Sequence, residues 1–130
     1  MSETVLQSFA SDAVNIATPR MGAEVIYAND EFFASKERLI KDTEPQFIPD
    51  KYDNHGKWMD GWESRRRRDG GYDHCTVNLQ AGGTIDGVDI DTRHFTVNHP
   101  PYASIQGTLS TSTPKDDTAL MPPFPHHNTN

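Results

Sequence analysis

Apolar and polar positions alternate along this chain in short runs, and no pattern is sustained for long. Residues 1–22 mix Ser, Thr and Asp with scattered aliphatics, and Leu6, Phe9 and Ala13 have the spacing of a short amphipathic helix. Pro19 and Gly22 interrupt it. Val25-Ile26-Tyr27-Ala28, entered through Glu24, is rich in β-favouring residues and predicts a short buried strand ending at Asn29-Asp30. Ser35 is placed to cap a helix over 36–41, with Leu39 and Ile40 turned to the core and Phe32 and Phe33 as anchors before it. Pro45 and Pro49 predict an extended surface segment over 42–54, pinned by Phe47, Ile48 and Tyr52.

After the turn residues Asp69-Gly70-Gly71, two runs with strand period follow, 72–80 and 84–97. In the first, Cys75, Val77 and Leu79 share one face and Thr76, Asn78 and Gln80 the other, which makes Cys75 a buried small residue rather than a nucleophile. Gly82-Gly83 turns the chain. In the second run Val88, Ile90 and Thr92 alternate with Asp89, Asp91 and Arg93, so its polar face carries two acids and a base. Beyond Gln106 the pattern stops, and the Ser-, Thr- and Pro-rich residues 107–130 predict a disordered tail. Leu120, Met121 and Phe124 offer it a docking motif, with the unstructured end as the default reading.

Composition fits a small core. The 130 residues suit one domain, yet hydrophobic residues make up 34% and mean hydropathy is −0.74, so part of the chain is expected to stay outside any core. Twelve Lys and Arg against nineteen Asp and Glu give a formal charge of −7, a field that repels nucleic acid and acidic membrane surfaces. Cys75 is the sole cysteine, which precludes an internal disulfide and fits a reducing compartment. The opening Met1-Ser2-Glu3-Thr4 lacks the basic region and apolar run of a secretory signal, and no stretch has transmembrane length. The expectation is a soluble cytoplasmic protein with no nucleic-acid or membrane partner.

The chemistry concentrates between Gly56 and Pro101. Trp58-Met59-Asp60-Gly61-Trp62-Glu63-Ser64 runs into Arg65-Arg66-Arg67-Arg68, placing indoles, carboxylates and guanidiniums together. Acids on both sides, Asp60 and Glu63, Asp69 and Asp73, neutralise much of the arginine field, so nucleic-acid binding ranks below a mixed-charge surface or a carboxylate grip. A guanidinium fork matches two carboxylate oxygens, and in an extended segment only alternate arginines reach one site. Asp89, Asp91, His94 and His99 read by default as solvent-facing polar groups. Near Asp91, His94 also has the character of a general base at neutral pH. His74, His94 and His99 lack metal-ligand spacing, and no phosphate loop or nucleophile elbow is present, so no metal or cofactor is expected. Trp58 and Trp62 are expected to pack.

These residues resemble a known family. The block from Gly56 to Arg68, then Tyr72-Asp73-His74-Cys75, Gly87-Val88-Asp89-Ile90-Asp91-Thr92 and Phe95-Thr96-Val97-Asn98-His99-Pro100-Pro101, resemble the first repeat of allantoicases, as does Ala28-Asn29-Asp30-Glu31-Phe32-Phe33-Ala34 near the start. The resemblance covers about residues 19–106, leaving 1–18 as an N-terminal segment and 107–130 as the tail. It implies an all-β fold, a β-sandwich of jelly-roll or galactose-binding-like type, and hydrolysis of allantoate to ureidoglycolate and urea. On that basis Arg65 and Arg67 are expected to hold the substrate carboxylate, Asp60, Glu63 and Asn98 its ureido groups, and Asp91 with His94 to move the proton. A non-catalytic binding module descended from the same repeat is the alternative. The chain departs from the family in carrying His74 where Trp is usual and Val97 where Gly is usual, so Val97 would be strained if that backbone position needs positive φ. Family members carry two repeats, and here the first stops near Gln106; the expectation is an incomplete sandwich whose open edges favour homo-oligomers.

Overall fold

The computed structural model describes residues 13–109. The proposed helix through Leu6 and Phe9, and the tail with Leu120, Met121, Phe124 and His126-His127, lie outside them. Regular structure among the described residues is all-β: four short strands and two 3₁₀ turns, with no α-helix. None of the helical turns is long and apolar enough to cross a membrane.

The organising pair is β1 (Glu24–Ala28) and β4 (Cys75–Asn78), antiparallel, with Val25 opposite Val77 and Ala28 opposite Cys75. The register shifts between Val25 and Tyr27, so Ile26 is the extra residue of a bulge and Tyr27 pairs with Thr76. A 3₁₀ turn, Pro19–Met21, feeds β1: Pro supplies the φ its first position needs, and Gly22 ends it at φ 86°, a left-handed conformation that glycine adopts without cost. β2 (Tyr52–Asp53) and β3 (Gly56–Lys57) form a minimal hairpin, in which Asp53 Oδ1 accepts from the His55 amide at 2.8 Å and Gly56 takes φ 121°. A single bridge, Ala34 with Glu63, carries the chain from the segment after β1 onto the segment after β3.

The core is small, as the composition implies. Ala23, Val25, Ala34 and Met59 are its buried apolar residues, joined by Thr76. The buried position of β4 is thus Thr76, on the face read from sequence as polar; the bulge opposite it rotates the pairing and turns that face inward. Cys75 stays half-buried, and burial still pushes its thiol up to about 11, far from a nucleophile's range.

Two expected elements are corrected. The helix over 36–41 is a 3₁₀ turn, Lys36–Ile40, without a side-chain cap from Ser35, and Leu39 is exposed. The turn lies against β1 yet leaves Leu39 in solvent, so little apolar burial supports a longer helix. The strand over 84–97 is absent: the segment makes no ladder, and Ile85, Val88 and Ile90 are all exposed. Alternation sets which face a strand would bury, but a strand forms only when a neighbour accepts its backbone hydrogen bonds.

Candidate functional site

Several of the expected site residues gather on the segments that leave β1 and β3. The Ala34–Glu63 bridge is the hinge of the arrangement, because Glu63 O accepts from the amides of Phe33 and Ala34 (3.1 and 3.0 Å) and Glu63 N donates to Ala34 O (3.3 Å). The backbone beneath Trp62 to Arg65 is thereby fixed against the residues that follow β1. Trp62 Nε1 donates to Asp30 O at 2.8 Å, a half-buried contact that explains why an indole stands there. Trp58 packs too, between the Arg38 guanidinium (5.1 Å) and the Lys51 ammonium (4.1 Å).

Asp60 turns away from the arginines. Its side chain is only 4% exposed; Lys41 Nζ donates to it at 2.6 Å and the Gln46 amide at 3.0 Å. Burial works to raise its proton affinity, but the two donors and the Lys41 charge win, and the carboxyl sits below its ordinary 3.8. Glu63 shows the opposite balance: burial dominates, Asn98 Nδ2 donates to Oε1 at 3.3 Å, and Asp53 adds repulsion, so its carboxyl is raised above 4.5. Glu63 and Asn98, 35 positions apart, are thus brought into contact.

The arginines divide. Arg67 is spent on internal partners, Nε and Nη2 donating to the two Asp69 oxygens (3.0 and 2.8 Å) with Nη1 3.5 Å from Asp73. Arg65 Nε lies 3.1 Å from Asp30 Oδ2, its guanidinium stacks over the Phe32 ring at 4.5 Å, and the side chain is 62% exposed. Asp73 also accepts from Ser64 Oγ (2.6 Å) and Asn29 Nδ2 (2.9 Å), while Asn29 Oδ1 takes the His74 amide at 2.8 Å.

Asp91 and His94 line one open cleft of about 590 Å³, with Asp89, Arg93, Phe95 and His99. Asp91 bonds Arg93, accepting from its amide at 2.8 Å and from Nη2 at 2.9 Å; Nη1 of the same arginine reaches Glu44 at 2.7 Å. His94 stacks on Phe47 (5.7 Å between centroids, 25° apart) and holds φ 73°, a left-handed conformation. In this stretch the positive φ therefore belongs to His94 and not to Val97, which escapes the expected strain. Segment 42–54 meets residues of the cleft through Phe47 on His94 and Glu44 on Arg93, while Phe47, Ile48 and Tyr52, expected to pin it, are exposed. Phe95 joins the cleft to the tryptophan block, because its ring edge lies against Gly61, where an added Cβ would stand 3.0 Å away. No group of three or more His, Cys, Asp or Glu converges as metal ligands would among the described residues.

The sequence reading passed over Asn29 and Asp30, taking them as a strand end, and over Ser64, Glu44 and Arg93. The available signal was two polar residues with side-chain acceptors directly after a buried strand, the position from which loops carry groups to a sheet's edge.

A family model, the allantoicase repeat, matches residues 14–127. A probable allantoicase of Ralstonia nicotianae is 58% identical over 105 residues, 80% of this chain and 31% of that protein. Probable allantoicase 2 of Burkholderia mallei is 53% identical over 111 residues (85% and 33%), and a probable allantoicase of Rhizobium meliloti 46% over 121 residues (93% and 36%). The chain thus spans about a third of the length of these relatives. No solved structure matches it.

Proposed function

The chain belongs to the allantoicase family, and from that premise we propose that it acts in the hydrolysis of allantoate to ureidoglycolate and urea. The observation that carries the reading is the family match itself, which spans residues 14–127 and so includes the tryptophan and arginine block and Asn98. Allantoate bears one carboxylate and two ureido groups on a single carbon. Hydrolysis adds the oxygen of water to that carbon, breaks one C–N bond, and delivers a proton to the departing nitrogen so that urea leaves.

Arg65 and Arg67 take the carboxylate in this scheme, Arg65 directly and Arg67 on exchanging Asp69 for substrate. Glu63 and Asn98 receive one ureido group. A desolvated carboxylate with raised proton affinity is a strong acceptor for its N–H edge, and the amide both donates and accepts. Asp60, buried against Lys41 and the Gln46 amide, holds the backbone before Trp62 and in this arrangement does not reach the second ureido group. Asp91 and His94 move the proton, with Arg93 orienting the Asp91 carboxylate and Phe47 holding the imidazole ring.

At the coarser scale the reading makes residues 19–106 a β-sandwich repeat of jelly-roll or galactose-binding-like type, flanked by an N-terminal segment at 1–18 and a tail at 107–130. The protein is cytoplasmic, works as a homo-oligomer, and binds neither nucleic acid nor membrane.

The test is urea release from allantoate by the purified chain over a concentration series, with an Arg65→Ala, Arg67→Ala double variant beside it. Release that rises with concentration and falls at least tenfold in the double variant is expected. Folded protein that yields no urea at any concentration would replace this reading with the binding module.

A further inference from the structure

We propose that Asp30 is a positioning residue for Arg65, aiming the terminal edge of its guanidinium outward as the carboxylate-binding surface; the inference rests on the allantoate reading above. Two hydrogen bonds and an ion pair converge on this one carboxylate. Oδ1 accepts from the amides of Phe32 (2.8 Å) and Arg65 (3.1 Å), and Oδ2 lies 3.1 Å from Arg65 Nε. Asp30 therefore grips Arg65 at both its backbone and the inner nitrogen of its side chain, and its carbonyl oxygen takes the Trp62 indole as well. The Phe32 ring, 4.5 Å from the guanidinium, fixes the plane.

What this leaves over is the point. A guanidinium has two usable edges, one made by Nε with a terminal nitrogen and one made by the two terminal nitrogens. Asp30 occupies the Nε position, and the structure gives Arg65 Nη1 and Nη2 no hydrogen-bond or ion-pair partner among the described residues. The side chain is 62% exposed, against 33% for Arg67, all three of whose nitrogens face Asp69 or Asp73. Of the two arginines expected to take the carboxylate, Arg65 is the one held ready. Asp30 itself is covered, its side chain 19% exposed, which removes it from direct competition with a ligand carboxylate.

A long exposed arginine left to itself spreads over many rotamers, and fixing it on binding costs affinity. A carboxylate at Nε prepays that ordering while leaving the terminal fork free. The consequence is specific to the carboxylate of the ligand: loss of Asp30 weakens binding of allantoate and leaves the ureido contacts at Glu63 and Asn98 untouched.

The experiment is a double-mutant cycle on allantoate binding by calorimetry, with Asp30→Asn, Arg65→Ala and the pair, and with the primary amide of allantoate as a probe lacking the charge. Asp30→Asn keeps an acceptor for the two amides and removes the charge opposite Nε. Expected is a Kd for allantoate raised about five- to tenfold by Asp30→Asn, with no further rise when it is added to Arg65→Ala, and little change for the amide. A Phe32→Leu variant, which removes the ring under the guanidinium and leaves Asp30 in place, is expected to raise Kd in the same direction, again without effect on top of Arg65→Ala. It carries the test if Asp30→Asn does not fold. Independent, multiplying effects, equal losses for allantoate and its amide, or wild-type affinity in a folded variant would each overturn the proposal. Binding without urea release from the wild-type chain overturns the hydrolytic reading alone, whereas no binding of allantoate by the wild-type chain overturns both.

Discussion

Two carboxylates three residues apart, Asp60 and Glu63, sit in environments that drive them in opposite directions. Asp60 has a folded value below its ordinary 3.8, so it contributes stability above that pH which is lost as pH falls through the folded value. Glu63, raised above 4.5 by burial, is penalised when ionised, so its contribution turns against the fold as pH rises through its folded value. Asp60→Asn is therefore expected to cost about 1–2 kcal/mol at pH 7 and to flatten the loss of stability below pH 3.8. Glu63→Gln is expected to raise stability at pH 7 while lowering urea release. Urea denaturation at pH 7, 5 and 3 checks both; an Asp60→Asn protein as stable as wild type at pH 7 would remove the Lys41 pair as a stabilising contact. Neither sign was legible in the sequence. Both residues are acids in one block, and what separates them is that Lys41 and the Gln46 amide fold onto one, while Asn98 and Asp53 meet the other.

Among the elements, the firm part is β1 against β4, and the segments that follow are joined to it by local hydrogen bonds and ion pairs. Gly61 and Phe95 make a packing tie between the tryptophan block and the cleft of Asp91 and His94. Gly61→Ala places a methyl 3.0 Å from Phe95 Cε2 and 3.1 Å from Cζ, so the ring has to move. The expected result is a loss of about 1 kcal/mol and a shift in the amide signals of residues 94–99, with β4 unperturbed. Heteronuclear NMR and thermal melting read this directly, and a variant whose spectrum changes only at residue 61 would separate the two regions. Strand β1 was readable because three β-favouring residues in a row, Val25, Ile26 and Tyr27, suit a strand wherever a partner lies. The 84–97 run was not, since its period is equally that of a strand and its fate depends on a neighbour the alternation does not supply.

At the scale of the molecule, little apolar surface is enclosed among the described residues: four buried apolar residues stand against exposed Ile85, Val88, Ile90, Val97 and Tyr102 in one continuous segment. Val97 is 93% exposed. Surface of that kind is covered in working proteins, and the expectation is a sedimenting mass above the 14.6 kDa of one chain at tens of micromolar. Val88→Asp with Ile90→Asp is expected to return it to one chain, and a monomer at every concentration would contradict the oligomer. Amides of residues 84–92 are expected to exchange rapidly in the dilute chain and slowly in the associated one. The sequence by itself determined the family, the β character, the inert Cys75, the small core and the block in which acids, indoles and arginines meet, because these follow from composition, period and residue order. Tertiary structure decided which face of β4 is inward, that Asp91 pairs with Arg93, that Arg67 is spent and Arg65 is free, and that Asp30 holds it. Each of those is a contact between residues distant in the chain or a competition among several neighbouring charges, and neither spacing nor type specifies which partner wins.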